Sequence, residues 1–173
     1  GRPHRWQRGQ KWLERPAIRK QRAELSKIIA DSDAVAIAGG HVAILLNRLE
    51  LFGIAEYLKG KAILAWSAGA MAISERVVLF HDSPPQGPGA SEVLDAGLGL
   101  AKGVVVLPQC EFRLRLSDPA RVRVMAERFA PSICLGFPSR SRVTLRRNRF
   151  SHAHDVLQLA SDGTHAALVG DAA

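Results

Sequence analysis

Residues 62–74 read Ala-Ile-Leu-Ala-Trp-Ser-Ala-Gly-Ala-Met-Ala-Ile-Ser. A short apolar run closes on Ser67 and small residues then open a helix-compatible segment, which predicts strand, sharp turn and helix with Ser67 at the turn. A serine there is pushed into solvent and strained. Its neighbours must be small for the backbones to approach, and Ala65, Ala68, Gly69 and Ala70 meet that demand. The start of the helix points free N–H groups toward the serine, so the N–H of Ala68 is placed to stabilise an oxyanion. The same spacing also fits a buried strand followed by a small-residue helix packed close to a sheet, because A-x-S-x-G lacks the first glycine of the usual G-x-S-x-G elbow.

The segments around this turn alternate. Pro16 suits the first turn of a helix running to about Ala30, with Ile18, Leu25, Ile28 and Ile29 at helical spacing. Ala34 to Ala38 is a continuous apolar run of the kind a buried parallel strand shows. Gly39-Gly40-His41 breaks it, Val42 to Leu51 resumes as a helix, and a short helix from Gly53 to Leu58 precedes the strand at 62–66. This order implies an α/β fold with a mostly parallel sheet and helices on both faces. Function then belongs at the carboxyl ends of the strands, where Gly39-Gly40 and Ser67 fall.

Further on, Val77 to Phe80 reads as a strand leading into the irregular loop His81-Asp82-Ser83-Pro84-Pro85-Gln86-Gly87-Pro88-Gly89. Leu98 to Leu100 and Val104 to Leu107 are apolar, and Pro108-Gln109-Cys110 breaks the second run. Asp118 caps a helix with Pro119 at its first position, ending near Phe129. Strands are expected over 133–137, 143–145 and 156–159, and the pattern fades after Gly163. The chain divides into a basic N-terminal arm and helix (1–30), one α/β domain (31–160) and a C-terminal tail (161–173).

Composition narrows the function classes. With 173 residues, 47% of them hydrophobic and only 6% aromatic, the core must be built from Ala, Val, Ile and Leu. No apolar run has the length of a membrane span and the N-terminus lacks the apolar stretch of a signal peptide, which reads as soluble and cytoplasmic. Cys110 and Cys134 make neither a disulfide framework nor a zinc cluster. The formal charge of +8 is concentrated in residues 1–27, where Trp6 and Trp12 interleave with Arg and Lys. That resembles a nucleic-acid or acidic-partner surface, yet a solvated basic face needs no partner, so nucleic acid is not expected.

Taken in order, Ala38-Gly39-Gly40-His41, Trp66-Ser67-Ala68-Gly69-Ala70, Asp82-Ser83-Pro84 and Leu107-Pro108-Gln109 resemble the dipeptidase E and cyanophycinase family of serine peptidases over roughly residues 33–145. The resemblance implies the class I glutamine amidotransferase-like fold, a flavodoxin-like three-layer sandwich. It implies Ser67 as nucleophile and Asp82, fifteen residues on, as the acid that orients the base. The family's base is a histidine in a Pro-His pair, and Gln109 stands at that position. Glutamine cannot take a proton from serine, so efficient triad chemistry through position 109 is not expected.

His41 in the Gly-Gly turn and His81 beside Asp82 are candidates for a substitute base, with the plain alternative that each is a loop histidine. Cys110 is a weaker candidate as a nucleophile, and His152, His154 and His165 look incidental. Family members carry further strands and helices before the Gly-Gly strand, whereas about thirty residues precede it here. An incomplete sheet or an N-terminally truncated chain follows from the resemblance, and an open sheet edge would favour a homodimer. The expected activity is hydrolysis of short or acidic peptides, with the N–H groups of Gly40 and Ala68 as oxyanion hole. The alternatives are a binding module of the same fold that has lost turnover, and a binder of nucleic acid or acidic partners acting through the basic arm of residues 1–27. No metal, nucleotide or redox cofactor is called for.

Overall fold

A computed structural model describes residues 14–81 and 91–170. Helix α1 (Pro16–Ala30) starts with proline in its first turn and leads into strand β1 (Ala34–Ile37). Helices α2 (Val42–Leu51) and α3 (Ile54–Tyr57) follow, then strand β2 (Ala62–Ala65), which pairs with β1 in parallel, Ile37 opposite Ala65. The Lys61 ammonium donates to the carbonyls of Ala30 and Ser32, 2.8 Å each. That satisfies acceptors at the end of α1 and ties the start of β2 to the α1–β1 turn.

The expectation of a strand buried on both faces holds for a different strand. β5 (Val104–Pro108) is buried at every residue, as its unbroken run of apolar side chains requires. β1 and β2 are covered on one side only: Ile37 joins Ile29, Ile54 and Leu58 in a core, while Ala34, Ala36, Ala62 and Leu64 are exposed. Among the described residues, no helix lies over that second face.

Helix α4 (Ala68–Ile73) follows β2 and packs Ala68, Met71 and Ala72 against Val104 and Val106 of β5, Val42 and Leu46 of α2, and Val77 of strand β3 (Arg76–Leu79). Two glycines fix its ends. A Cβ on Gly69 would lie 2.2 Å from the Ile37 carbonyl oxygen, and one on Gly97 would lie 2.1 Å from that of Ser74. Neither position has room for any other residue without moving backbone.

β3 pairs with β4 (Glu92–Ala96), and β5 pairs in parallel with β6 (Ile133–Phe137). Between β5 and β6 come the single turn α5 (Cys110–Arg113) and α6 (Pro119–Phe129). The Asp118 carboxylate caps α6 by accepting from the amides of Ala120 and Arg121. A hairpin of β7 (Arg142–Arg146) and β8 (Arg149–His154) precedes β9 (Leu157–Leu159) and β10 (His165–Ala167), which join the β5–β6 sheet.

The result is a mixed α/β fold whose strands form one four-stranded sheet of order β10-β9-β6-β5 and three two-stranded ones, with no closed barrel among the described residues. The single mostly parallel sheet expected from the sequence is thus replaced by small sheets, of which only β1–β2 and β5–β6 run parallel. β4, β8, β10 and α5 go beyond the elements that the sequence pattern predicts.

One residue, Glu75, joins three strand starts. The Glu75 amide donates to Val104 at the head of β5, and its side chain accepts from the Ser132 hydroxyl at the head of β6. That hydroxyl, with the Gly103 amide next in weight, holds the carboxyl below its ordinary value. A lowered carboxyl stabilises the fold above the unfolded value of about 4.3, and that stability is lost as pH falls through the folded value. Urea midpoints of the parent should therefore fall between pH 6 and pH 3.5 by more than those of Glu75→Gln. Parallel falls in the two proteins would show that the bond to Ser132 carries no acid sensitivity.

Candidate active site

Ser67 stands between β2 and α4 with φ 51° and ψ −124°, a region that side chains other than glycine rarely enter. Its backbone is held from three sides. The Trp66 amide donates to Ile37 at 3.2 Å, the Gly69 amide to Trp66 at 3.0 Å, and the Met71 amide to the Ser67 carbonyl at 3.1 Å. These bonds over-determine the turn, so the strain persists and Ser67 is held out at the surface. The strand, turn and helix anticipated for residues 62–74 are all present.

The Gly-Gly turn meets this serine. A Cβ on Gly39 would lie 3.0 Å from Ser67 Cβ, 3.2 Å from its Oγ and 3.9 Å from the Ala68 nitrogen. Gly39 is the glycine that touches the serine, a contact that sequence spacing alone did not single out. Gly40 follows at φ 132°, where a side chain would be strained, and nothing lies within 4 Å of where its Cβ would be. The backbone of residues 39–40 and the N-terminus of α4 thus border one open space above Ser67.

The orientation of the strands decides what else shares this end. β3 and β5 start together, because Glu75 bonds Val104. At their other ends, the Arg113 guanidinium donates to the Pro108 carbonyl and sits 4.9 Å from the ring centre of Phe80. α4 runs back from Ser67 toward the start of β3, so Ser67 belongs to the end that holds Phe80, His81 and Gln109. Gln109 is exposed and takes the left-handed conformation, φ 54° and ψ 42°, as the residue before α5.

The two substitute-base candidates differ. His41 is exposed at the head of α2, its side chain making no cap bond. His81 is exposed too but has a partner, with Nε2 3.5 Å from a carboxylate oxygen of Glu92 on the neighbouring strand. Glu92 could be found only through the β3–β4 pairing, which no local pattern announces. Among the described residues no histidine hydrogen-bonds the Ser67 hydroxyl. Asp82 lies outside the described residues.

Cys110 follows Gln109 but points inward, its Sγ 3.0 Å from where a Cβ on Gly136 would be. Burial first, and the neighbouring Glu111 second, push its thiol up to about 11, so it stays protonated and weakly nucleophilic at neutral pH. Burial pushes Cys134 up to about 12. Among the described residues no group of three or more His, Cys, Asp or Glu side chains is arranged to hold a metal ion, and no helix is long and apolar enough to cross a membrane.

Against known proteins, the sequence pattern of Peptidase family S51 matches residues 13–129, which take in the Gly-Gly turn, the serine elbow, His81 and Gln109. No curated protein matches the chain.

Proposed function

The chain belongs to Peptidase family S51, the dipeptidase E and cyanophycinase family, and on that premise we propose that it is a serine peptidase-type hydrolase of short or acidic peptides with Ser67 as nucleophile. The observation that carries this reading is the strained backbone of Ser67 with its Oγ against Gly39. Such a turn presents the hydroxyl to a carbonyl carbon, and the N–H groups of Gly40 and Ala68 border the space where the oxyanion would form. The two parallel strand pairs support a sandwich of the class I glutamine amidotransferase type, with α4 between the elbow and β5.

The proton is the difficulty. With Gln109 at the base position, a proton leaving Ser67 needs another acceptor, and His81 is the better of the two because the Glu92 carboxylate, 3.5 Å from its Nε2, can orient its ring. Asp82 would orient that base or stand unused. The basic chain attracts acidic peptides without selecting them. The second reading, a binding module that keeps the pocket and has lost turnover, is favoured by Gln109 alone.

Intact-mass labelling with a serine-directed fluorophosphonate separates the two readings. One adduct on the parent, none on Ser67→Ala and slowed labelling of His81→Ala is the expected result. A folded parent that stays unlabelled over hours would remove the hydrolase reading and leave the binding module.

A further inference from the structure

The β7–β8 hairpin lies beyond the residues that the family pattern matches. Its pairs alternate in character. Val143, Leu145 and Phe150 pack on the core, while Arg142 faces His154, Thr144 faces His152, and Arg146 faces Arg149 on the exposed side. A bulge at Ser151 keeps this sorting intact: the register shifts between Thr144 and Leu145, which brings Phe150 opposite Leu145 on the inner face. The turn residues Arg147 and Asn148, both at positive φ, add another guanidinium at the tip.

Arg146 opposite Arg149 sets like charges across the pair, which costs the hairpin stability at that position. Among the described residues no carboxylate pairs with Arg142, Arg146 or Arg149; the single acid at the edge is Asp155, 3.3 Å from His154. A shallow cavity of about 340 Å³ opens over Arg142, Thr144, His152 and His154.

We propose that the outer face of the β7–β8 hairpin binds the phosphate backbone of duplex nucleic acid without reading its sequence. Arg142 and Arg146 are four apart on one strand, about 13 Å, and Arg149 stands opposite Arg146, so the face offers spaced cations rather than one pocket. Guanidinium forks match phosphate oxygens in bidentate geometry. A protein partner would call for an apolar centre, and the outer positions hold none. Bases of a single strand would call for aromatic platforms, and the hairpin's one aromatic, Phe150, points into the core. The basic N-terminal residues that first suggest nucleic acid are not needed for this surface, which becomes visible only once the strands are paired.

The test is fluorescence anisotropy of a labelled 20-base-pair duplex titrated with the full chain. Three phosphate contacts predict micromolar binding at 50 mM salt that weakens roughly fortyfold at 200 mM. The triple variant Arg142→Gln, Arg146→Gln, Arg149→Gln should bind at least about tenfold more weakly at 50 mM salt and show a flatter salt dependence. Thr144→Glu, which removes no cation and keeps the hairpin packing, should also weaken binding severalfold. Arg2→Gln, Arg5→Gln, Arg8→Gln should bind within about threefold of the parent. Parent-like binding by both hairpin variants, loss of binding in the arm variant alone, or equal affinity for poly-glutamate would each overturn the proposal.

Discussion

Gly69→Ala is expected to destabilise the protein by on the order of 3–5 kcal/mol and to abolish any reactivity of Ser67. In an ordinary helix this change would gain about 1 kcal/mol, because alanine is the better helix former. Here the new methyl would sit 2.2 Å from the Ile37 carbonyl oxygen and 2.8 Å from that of Ala38, both backbone atoms of the neighbouring strand. To make room, α4 must withdraw from β1, and Ser67 heads α4. The clash outweighs the propensity gain severalfold. Thermal melting with fluorophosphonate labelling checks this. A melting temperature within a degree or two of the parent, with labelling intact, would mean that the strand gives way easily and that the glycine does not set the elbow.

Gln109→His is expected to raise hydrolysis of small acidic peptides by tenfold or more, within the 10²–10⁴ range that general-base catalysis supplies. The backbone favours the exchange: position 109 sits at φ 54°, where histidine is tolerated better than most residues, and it is exposed, so no core is disturbed. The gain should vanish when Ser67→Ala is added. A rise of less than tenfold would show that the residue at position 109 does not by itself set the rate, and would turn attention to His81 and Glu92. Glu92→Gln in the parent then separates the two routes, since it should slow only a reaction that uses His81.

What could be read beforehand follows from how local each signal is. The unbroken Val-Val-Val-Leu of β5 and the Asp118-Pro119 start of α6 carry their own explanation within a few residues, and both are present. The elbow is of the same kind, since the small residues around Ser67 state the steric demand directly. β4 carries acids at Glu92 and Asp95, and only its pairing with β3 makes it a strand. β8 breaks its own alternation at the bulge, which hid the charged face of the hairpin and made His152 and His154 look incidental. α5 is a single turn, too short for any period to show. The contact between Gly39 and Ser67 joins two separate strand ends, so composition could place them at one end of the sheet but not against each other.

The helix behind Ser67 spans six residues and is closed in at one end by Gly69 against β1 and at the other by Gly97 against Ser74. For anyone redesigning this protein, that makes α4 the chassis. The outward positions of the β7–β8 hairpin, Arg142, Thr144, Arg146 and Arg149, are exposed and can be recharged without shifting the serine, whereas positions 69 and 97 have to be held fixed in any library from the outset.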